Sequence, residues 1–521
     1  MRFTFYFSLA ILFTVFSNFS CSKKIAAPAA SAVQVSSYSP QVPVLKGLSY
    51  NPVVRIAVSV PEGNGEQHFR QLQCTLNGDA IQSIQKIEAY LTGAESFSSV
   101  NLLATVSPSS ASFTIPITHN QQTGLKFIWL SVVLKADAGL NNKVELHCTK
   151  LMDEGGKEFS VLQGSSAYSK YAGVAVRKAA DDGVNTYRIP GIAQTDKGTL
   201  LSVYDIRYNN SADLPGNIDV GLSRSTDGGK TWEPMKIIMD MGGPNDNSGI
   251  GDPAILIDEV TKKIWVAALW SKSNHSIAGS IGGLSPDSTG QFVLVNSSDD
   301  GVTWSAPINI TAQIKNPFWK IFFQGPGSGI MMQNGTLVFP AQYWDAANMP
   351  YSTLVYSTDH GATWQRSANA PKSNTTESSV VETTAGTLML NMRDNRGSFR
   401  SVATTSNMGV NWTEHSTSYN ALPDPVCMGS LIKAKVNVKG VLKDVLFFSN
   451  PNTSSGRYNI TIKASLDLGQ TWSSVNQLLI DERSCYGYSS LTKLDDNTIG
   501  ILYEGTKDLY FVQVPVSEII K

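Results

Sequence analysis

Short stretches rich in hydrophobic and β-branched residues recur along most of the chain, and polar turns separate them. In the first third of the chain they predict strands over residues 53–60, 98–106, 112–117, 126–135 and 143–150. Runs of this kind between turn residues are typical of β-strands. The pattern predicts an all-β protein with an N-terminal β-sandwich over residues 46–166. Nothing in this part indicates catalysis, so it is either a carbohydrate-binding module or a spacer.

Beyond residue 167 the pattern contains an internal repeat of the form S-x-D-x-G-x-T-W. Its Asp or Asn position occurs in five copies, of which the fourth is degenerate, at Asp227, Asp299, Asp359, Asn407 and Asp467. Successive positions are 72, 60, 48 and 60 residues apart, and each interval is long enough for one four-stranded blade. The repeat therefore predicts a β-propeller over residues 167–521.

Each copy of the repeat has the residues of a tight, anchored turn. The Asp side chain can accept hydrogen bonds from the turn backbone, and the Gly supplies a positive φ. The Trp anchors the hairpin against its neighbour, and five of the ten tryptophans lie at these sites. We therefore interpret these aspartates as structural residues and not as metal ligands or catalytic acids.

The N-terminus has a different pattern. An apolar stretch over residues 4–16 follows Arg2, which is typical of an export signal and is too short to span a membrane. Cys21 ends a segment that resembles a bacterial lipoprotein signal, so we expect a signal over residues 1–21 and a possible lipid anchor at Cys21. The alternative is a secretory signal that is cleaved around residues 26–30. Residues 22–45, rich in Ala, Ser, Pro and Val, predict a linker.

The composition narrows the class of protein. With 41 basic and 42 acidic residues the net charge is -1, which argues against a nucleic-acid-binding protein. The export signal predicts an extracytoplasmic location, in the periplasm, anchored at the outer membrane or secreted. Disulfides are permitted there. The cysteines leave two alternatives open, either the pairs Cys74–Cys148 and Cys427–Cys485 or free buried thiols.

The repeat is the Asp-box, or bacterial neuraminidase, repeat, and residues 167–521 resemble the bacterial sialidases that carry it. This resemblance implies a six-bladed propeller. The preceding sandwich resembles the domain found before the propeller in some Bacteroides-type sialidases. Other Asp-box proteins are receptors or different glycosidases, so the repeat alone leaves the chemistry open.

Three arginines lie in apt sequence settings, namely Arg188 in YRIPG, Arg393 in LNMRD and Arg457 in RYNITI. Sialic acid has a carboxylate on its anomeric carbon, and arginine suits it because it stays protonated and offers a planar fork of donors. The segment around Arg188 resembles the R-I-P motif before the first Asp box of sialidases. The resemblance implies that these arginines form the carboxylate-binding triad of the family.

Tyr488, in GYSSL, resembles the nucleophile segment of sialidases, and Tyr486 is its rival. A neutral tyrosine is not repelled by the substrate's carboxylate, but its pKa of about 10 means that it needs a base. Sialidases with a tyrosine nucleophile are a known exception among glycosidases. The resemblance implies that the base is Glu377, in TESSVVE. Glu382, in the same segment, fits a structural role better.

Asp213, in SADLP, resembles the catalytic aspartate of the sialidase loop, which protonates the leaving oxygen and later activates water. Asp219 fits a structural role better. The resemblance implies that Arg207 lies near the hydroxyl groups of the sugar. It also makes Asp252 a candidate for the region of the N-acetyl group or of O4.

The residues and the resemblance together predict a retaining exo-α-sialidase. It would be a monomer that acts on sialylated glycans of glycoproteins or glycolipids, without a metal or organic cofactor. Three alternatives remain, namely a trans-sialidase, a sialic-acid-binding lectin without catalysis, and an Asp-box scaffold without a sugar site. Linkage preference depends on loops around the leaving group and cannot be read from the sequence.

Overall fold

The structure, a computed structural model, describes residues 32–164 and 169–521. The predicted signal and Cys21 lie outside these residues, so export and the lipid anchor stay predictions. Among the described residues, no helix has the length and hydrophobicity needed to cross a bilayer.

The N-terminal domain is a sandwich of two sheets, each antiparallel, and one edge strand of each sheet pairs in parallel with that of the other and joins them. One sheet has the strand order β1-β3-β8-β5-β6, and the other has the order β10-β9-β4-β7. One hydrophobic core with residues from both sheets lies between them. The elements of this part are β1 Gln34–Tyr38, β2 Val44–Lys46, β3 Pro52–Val60, β4 Gln67–Leu76, α1 Gly78–Ile81, β5 Ile84–Thr92, β6 Leu102–Val106, β7 Ser112–Gln121, β8 Gly124–Leu134, β9 Lys143–Asp153 and β10 Glu158–Gln163.

The structure differs from the sequence expectation in two places. Strands β4, β5 and β10 are absent from the predicted set, because polar residues lie between the hydrophobic ones and mask the apolar face. The predicted linker over residues 22–45 is wrong for its second half, since β1 and most of β2 fall within it. Val35 and Val44 are buried there, so this segment packs as part of the folded domain.

The rest of the chain forms the propeller. Its elements are β11 Ser169–Arg177, a 3-10 helix Asp181–Gly183, β12 Thr186–Gln194, β13 Leu200–Arg207, β14 Ile218–Ser225, β15 Lys236–Met239, β16 Gly249–Ile257, β17 Ile264–Ser271, β18 Gln291–Ser297, β19 Ile308–Asn309, α2 Thr311–Ile314, β20 Ile321–Gln324, β21 Gly327–Ser328, β22 Ile330–Met331, β23 Leu337–Trp344, β24 Pro350–Ser357 and β25 Gln365–Arg366. They continue with β26 Thr375–Thr384, β27 Thr387–Asp394, β28 Ser398–Phe399, β29 Ser401–Thr405, β30 Thr413–Glu414, β31 Pro423–Asp424, β32 Ser430–Val438, β33 Val441–Pro451, β34 Ile460–Ser465, β35 Gln477–Asp481, β36 Ser489–Asp495, β37 Thr498–Glu504, β38 Leu509–Pro515 and α3 Val516–Ile519.

The blades follow one another along the chain, starting at β12, β16, β20, β26, β32 and β36. The first five are separate sheets. The sixth consists of β36, β37, β38 and, as its outer strand, β11 from the start of the propeller. Pairing the last strands with the first one closes the ring and leaves no open edge between its ends.

Strand β11 also joins the two domains. It pairs with β38 of the propeller on one side and with β9 of the sandwich on another. Side chains add to this junction, because Glu518 accepts hydrogen bonds from Lys143 and Tyr171, each at 2.5 Å. The sandwich is therefore fixed on the outer side of the sixth blade.

The Asp-box turns have the structural role that the sequence predicts. In the second copy, Asp299 accepts hydrogen bonds from the backbone N–H of Thr303 at 2.8 Å and from its hydroxyl at 2.5 Å. In the third copy, Trp364 packs edge-on against Trp265 of the preceding blade. Gly361 has a φ of +86°, and a Cβ there would lie 2.2 Å from Trp265. The turn therefore needs glycine both for its backbone and for the close approach of two blades.

The aspartates of these turns should make the free energy of unfolding depend on pH. The threonine of the box holds the pKa of Asp299 and of Asp359 down to about 2, through its hydroxyl and its backbone N–H. Because the unfolded pKa is about 3.9, the stabilisation is complete above about pH 5 and is lost as the pH falls toward 2. In the wild type, the urea concentration at the midpoint of unfolding should therefore fall between pH 5 and pH 2. In Asp299→Asn this fall should be smaller.

The degenerate copy supplies a matched control. Asn407 accepts the backbone N–H of Asn411 at 2.9 Å through its amide oxygen, which does not titrate. Asn407→Asp should therefore steepen the same fall in the urea midpoint. Equal pH dependence in wild type and both variants would contradict the prediction.

The cysteines of the described residues are all free thiols in the structure. Cys74 and Cys148 are cross-strand neighbours on β4 and β9, and both are buried. Of the two alternatives that the sequence leaves open, the structure has the free thiols, and Cys485 is only partly buried.

Candidate active site

The candidate residues meet at one end of the propeller axis. The first strands of the blades surround this axis, and several begin at this end. Arg188 lies on β12, Asp252 on β16 and Glu377 on β26, while Tyr488 comes directly before β36. Residues far apart in the sequence therefore reach the same mouth because each blade presents its first strand in the same direction.

Backbone irregularities aim several of these side chains. In each of β12, β16 and β26, the register of pairing with the next strand shifts at or next to the site residue. Ile189 and Asp252 each have a φ of 57°, which is costly for a β-branched residue such as Ile189. Bulges turn side chains away from the regular alternation of a strand, so they allow neighbouring residues to point into the mouth.

Tyr488, Glu377 and Arg393 form the centre of the site. The Tyr488 hydroxyl donates a hydrogen bond of 2.5 Å to Glu377 Oε1. Arg393 Nη1 lies 2.6 Å from Glu377 Oε2 and 3.0 Å from the Tyr488 hydroxyl oxygen. The carboxylate of Glu377 is therefore placed to accept the Tyr488 proton, and a guanidinium lies beside the oxygen that would become negative.

The surroundings keep Tyr488 neutral at rest. Burial and the neighbouring Glu377 carboxylate raise the pKa of Tyr488 well above its ordinary value, whereas Arg393 and Arg188 lower it. A neutral tyrosine needs a base and nearby cations to act as a nucleophile, and Glu377 and the two arginines are placed to supply them.

The other two predicted arginines lie on the ring of the same tyrosine. The guanidinium carbon of Arg188 is 5.3 Å from the Tyr488 ring centre, and that of Arg457 is 5.7 Å away. With Arg393 at the hydroxyl, three guanidiniums surround one side chain. Arg457 donates to the backbone oxygens of Tyr486 and Val426, and no salt bridge of the described residues includes it. Its charge is therefore available to an incoming anion.

Glu504, at the end of β37, is a site residue that the sequence reasoning missed. Its carboxylate is fully buried and pairs with Arg188, with Nε 3.1 Å from Oε1. It also accepts the backbone N–H of Ile189 at 2.8 Å and that of Tyr488 at 2.9 Å. One carboxylate thus fixes an arginine and the backbone beside the tyrosine. The only sequence signal was an acidic residue at the end of an apolar strand.

Asp213 lies in the loop between β13 and β14, and its side chain is 77% exposed. Arg207 Nη1 contacts Asp213 Oδ1 at 2.7 Å, and Arg188 Nη1 contacts the same oxygen at 3.5 Å. Desolvation raises the pKa of Asp213, but the charges of Arg207 and Arg188 outweigh it, so the pKa is lowered. Without substrate the carboxyl group of Asp213 is therefore ionised.

Arg207 lies below the loop rather than in the open cavity. Its side chain is only 1% exposed, and it forms a second ion pair with Asp205 at 2.8 Å. Asp252 does line the cavity, and its N–H donates to Asp205. Burial and the charges of Asp205 and Asp213 raise the pKa of Asp252 well above its ordinary value. A protonated Asp252 could donate a hydrogen bond to a polar group of a ligand.

The cavity at this mouth has a volume of about 280 Å³. Asp213, Asp252, Glu377, Arg393 and Tyr488 line its polar part. Apolar side chains line the rest of it, namely Leu214, Leu269, Ile277, Phe323 and Trp344. The site thus combines a cationic and acidic region with an apolar one, which suits a sugar acid that also has an apolar substituent.

Comparisons with known proteins agree with this geometry. The family description "BNR repeat-like domain" matches residues 200–501, and "N-terminal domain of BNR-repeat neuraminidase" matches residues 30–157. A sialidase of Bacteroides fragilis strain YCH46 is 48% identical over 408 residues, which cover 76% of this chain and 74% of that protein. The chain belongs to the BNR-repeat sialidase family.

Two further proteins resemble this sialidase. The solved structure of a Hadza microbial sialidase superposes with a TM-score of 0.86 at 39% identity, over 93% of this chain and 100% of the other. A sialidase of Micromonospora viridifaciens is 34% identical over 62% of this chain and 50% of its own length. The predicted family and the predicted fold class are confirmed, and the protein is a glycoside hydrolase.

Glu382, Asp219 and Tyr486 take no part in the hydrogen bonds that join Tyr488, Glu377 and Arg393. Glu382 accepts the backbone N–H groups of Gln333 and Gly386, and it lies at the other end of β26 from Glu377. Asp219 accepts a hydrogen bond of 2.9 Å from Tyr208. Tyr486, the rival nucleophile, packs its ring 4.5 Å from the guanidinium carbon of Arg188. None of the hydrogen bonds of the described residues joins Tyr486 to Glu377.

Proposed function

We propose that the sialidase releases terminal α-linked sialic acids from glycans with retention of configuration, and that Tyr488 is the nucleophile. The observation that carries this proposal is the contact of the Tyr488 hydroxyl with both Glu377 and Arg393, beside two further guanidiniums. Tyr488 is the one tyrosine in the described lining of the cavity, and its hydroxyl bonds to a carboxylate base.

Binding begins with the carboxylate of the substrate. Arg188, Arg393 and Arg457 bind it, and this places the anomeric carbon, which bears that carboxylate, next to the tyrosine. Arginine donors fit a planar carboxylate in pairs, so they also fix the orientation of the sugar. A carboxylate nucleophile would be repelled here, whereas the neutral Tyr488 is not.

In the first step the Tyr488 oxygen bonds to the anomeric carbon, and its proton passes to Glu377. The bond from that carbon to the leaving oxygen breaks, and this oxygen takes a proton from Asp213. In the second step Asp213 removes a proton from water, which attacks the same carbon and releases Tyr488, to which Glu377 returns its proton. Two displacements at one carbon give net retention.

Substrate binding also explains how Asp213 comes to hold a proton. In the free enzyme Arg188 and Arg207 keep its pKa low. When the substrate's carboxylate occupies Arg188, part of this positive field is neutralised. The substrate also displaces water from the exposed carboxyl group, and both changes raise the pKa. Binding thus prepares Asp213 to act as an acid.

Asp213→Asn tests this role. An amide cannot supply the proton, so kcat/KM for a sialyl-oligosaccharide should fall by about a thousandfold. An aryl sialoside with an acidic phenol as leaving group needs less protonation, so its first step should fall much less. Stopped-flow release of the phenol measures that step. Equal losses for both substrates would contradict the assignment of Asp213 as the acid.

Product analysis separates hydrolysis from transfer. Proton NMR at early times should show free sialic acid as the α-anomer, followed by slow mutarotation. The β-anomer as first product would contradict retention. Accumulation of a sialylated acceptor would favour a trans-sialidase, and an anhydro sugar would favour intramolecular transfer.

A further inference from the structure

A second cavity lies beside the loop that carries Asp213. Its volume is about 230 Å³. We call it the amide groove, because five asparagines of two loops line it together with small or apolar residues: Asn209, Asn210, Ala212, Pro215, Gly216, Asn217, Ile218, Pro244, Asn245 and Asn247. The two loops follow β13 and β15, in the first blade.

The amide groove borders the catalytic cavity through one short segment. Asp213 and Leu214 line the catalytic cavity, whereas Ala212 and Pro215, their neighbours in the chain, line the groove. In the proposed reaction Asp213 contacts the oxygen that joins sialic acid to the next sugar. The next sugar must therefore lie on the Asp213 side of the cavity, which is where the groove begins.

The side chains of the groove are suited to neutral hydroxyl groups. An amide offers both donors and an acceptor, and it bears no net charge. No charged side chain and no aromatic ring belongs to the described lining. This composition disfavours a phosphate or carboxylate ligand as well as a lipid, and it favours a neutral sugar.

Most of these amides have no partner within the protein. Asn210 Oδ1 accepts the backbone N–H of Ala212 at 2.8 Å, so this oxygen is already used. For Asn209, Asn217, Asn245 and Asn247, no side-chain hydrogen bond to another described residue occurs. Their donors and acceptors are thus available to a ligand.

The groove is also held open. Gly216 does not have a positive φ, and a Cβ there would meet only Ile218, at 4.0 Å. Glycine is therefore not required by the backbone or by close packing, and a larger side chain would project into free space. Beside it, a Cβ at Gly249 would lie 2.1 Å from the Gly216 backbone oxygen, so the two chain segments touch below the groove.

We propose that the amide groove binds the neutral sugar that follows sialic acid in the substrate. This inference rests on the proposed function of the neighbouring site. It assigns the preference of the enzyme for oligosaccharide leaving groups to residues of the first blade, outside the catalytic set.

The test compares two substrates. Asn217→Ala and Asn245→Ala should each lower kcat/KM for sialyllactose by about threefold to tenfold, the usual effect of losing one hydrogen bond. Gly216→Leu, which fills the groove, should lower it by more than tenfold. For an aryl sialoside without further sugars, all three variants should stay within about twofold of wild type. Asn101→Ala, at an exposed asparagine of the sandwich, is the matched control and should change neither value.

A binding measurement keeps the inference independent of turnover. In saturation-transfer NMR with sialyllactose and the Tyr488→Phe enzyme, the galactose protons should receive saturation, and this signal should fall when Asn217→Ala is added. Failure of the wild-type enzyme to cleave the aryl sialoside would overturn the proposed function. The NMR result would still show whether the groove binds the galactose. Equal losses on both substrates, or an unchanged galactose signal, would overturn the assignment of the groove.

Discussion

Tyr488→Phe should lower kcat for an aryl sialoside by at least about a thousandfold. The phenylalanine ring keeps the packing of Tyr488 against Ile189, Cys427 and Met428, so the fold should remain intact. What disappears is the hydroxyl group, whose oxygen bonds to the anomeric carbon and whose proton passes to Glu377 in the proposed reaction. Initial rates and a thermal melt of the same sample measure the two effects separately.

Tyr486→Phe is the matched control, because Tyr486 precedes Tyr488 by two residues. Its ring stacks on Arg188, and phenylalanine preserves that contact. Activity should therefore stay within about threefold of wild type. Mass spectrometry of the enzyme trapped with a fluorinated sialoside should place the sugar on Tyr488. Loss of activity in Tyr486→Phe with survival in Tyr488→Phe would reverse the assignment.

Glu504→Ala should lower the free energy of unfolding by about 3–5 kcal/mol, because it leaves the buried Arg188 without its counter-charge. Two backbone N–H groups, those of Ile189 and Tyr488, also lose their acceptor. The same change frees Arg188 to move, so kcat/KM should fall even at temperatures where the variant stays folded. Urea denaturation and steady-state kinetics on one preparation measure both.

Glu233→Ala is the control for a salt bridge at the surface. Glu233 pairs with Arg224 at 2.8 Å, but its side chain is 48% exposed. Such pairs contribute about 0–1 kcal/mol, so stability and activity should change little. A free energy of unfolding in Glu504→Ala equal to that of wild type would refute the structural role of Glu504.

The proposed catalytic set could be selected from the sequence because its residues lie in segments that resemble those of sialidases. Arg188, Arg393, Glu377 and Tyr488 each lie in a short motif, and the structure brings all of them to one mouth. Glu504 could not be selected, because its role depends on where β37 ends relative to Arg188. That relation exists only after six blades have closed into a ring.

Arg207 illustrates the same limit. Its nearness to the hydroxyls of the sugar stays a prediction from the resemblance, whereas the structure shows its guanidinium between Asp205 and Asp213. The sequence shows that a charged side chain is present, whereas the direction in which that side chain points depends on its neighbours in space. The amide groove has no sequence signal either, since asparagines are ordinary residues in loops.

The sequence by itself determined the propeller, because the core of the Asp-box turn is local: the hydrogen bonds among its Ser, Asp, Gly and Thr positions join residues two to four positions apart. It also predicts the sandwich, although β4, β5 and β10 are absent from the predicted strands and β1 lies in the predicted linker. Only the tertiary structure decided the site. The bulges at the start of β12, β16 and β26, the pairing of Glu504 with Arg188 and the convergence of three guanidiniums on Tyr488 depend on packing between distant segments. Such contacts leave no periodic pattern in the chain.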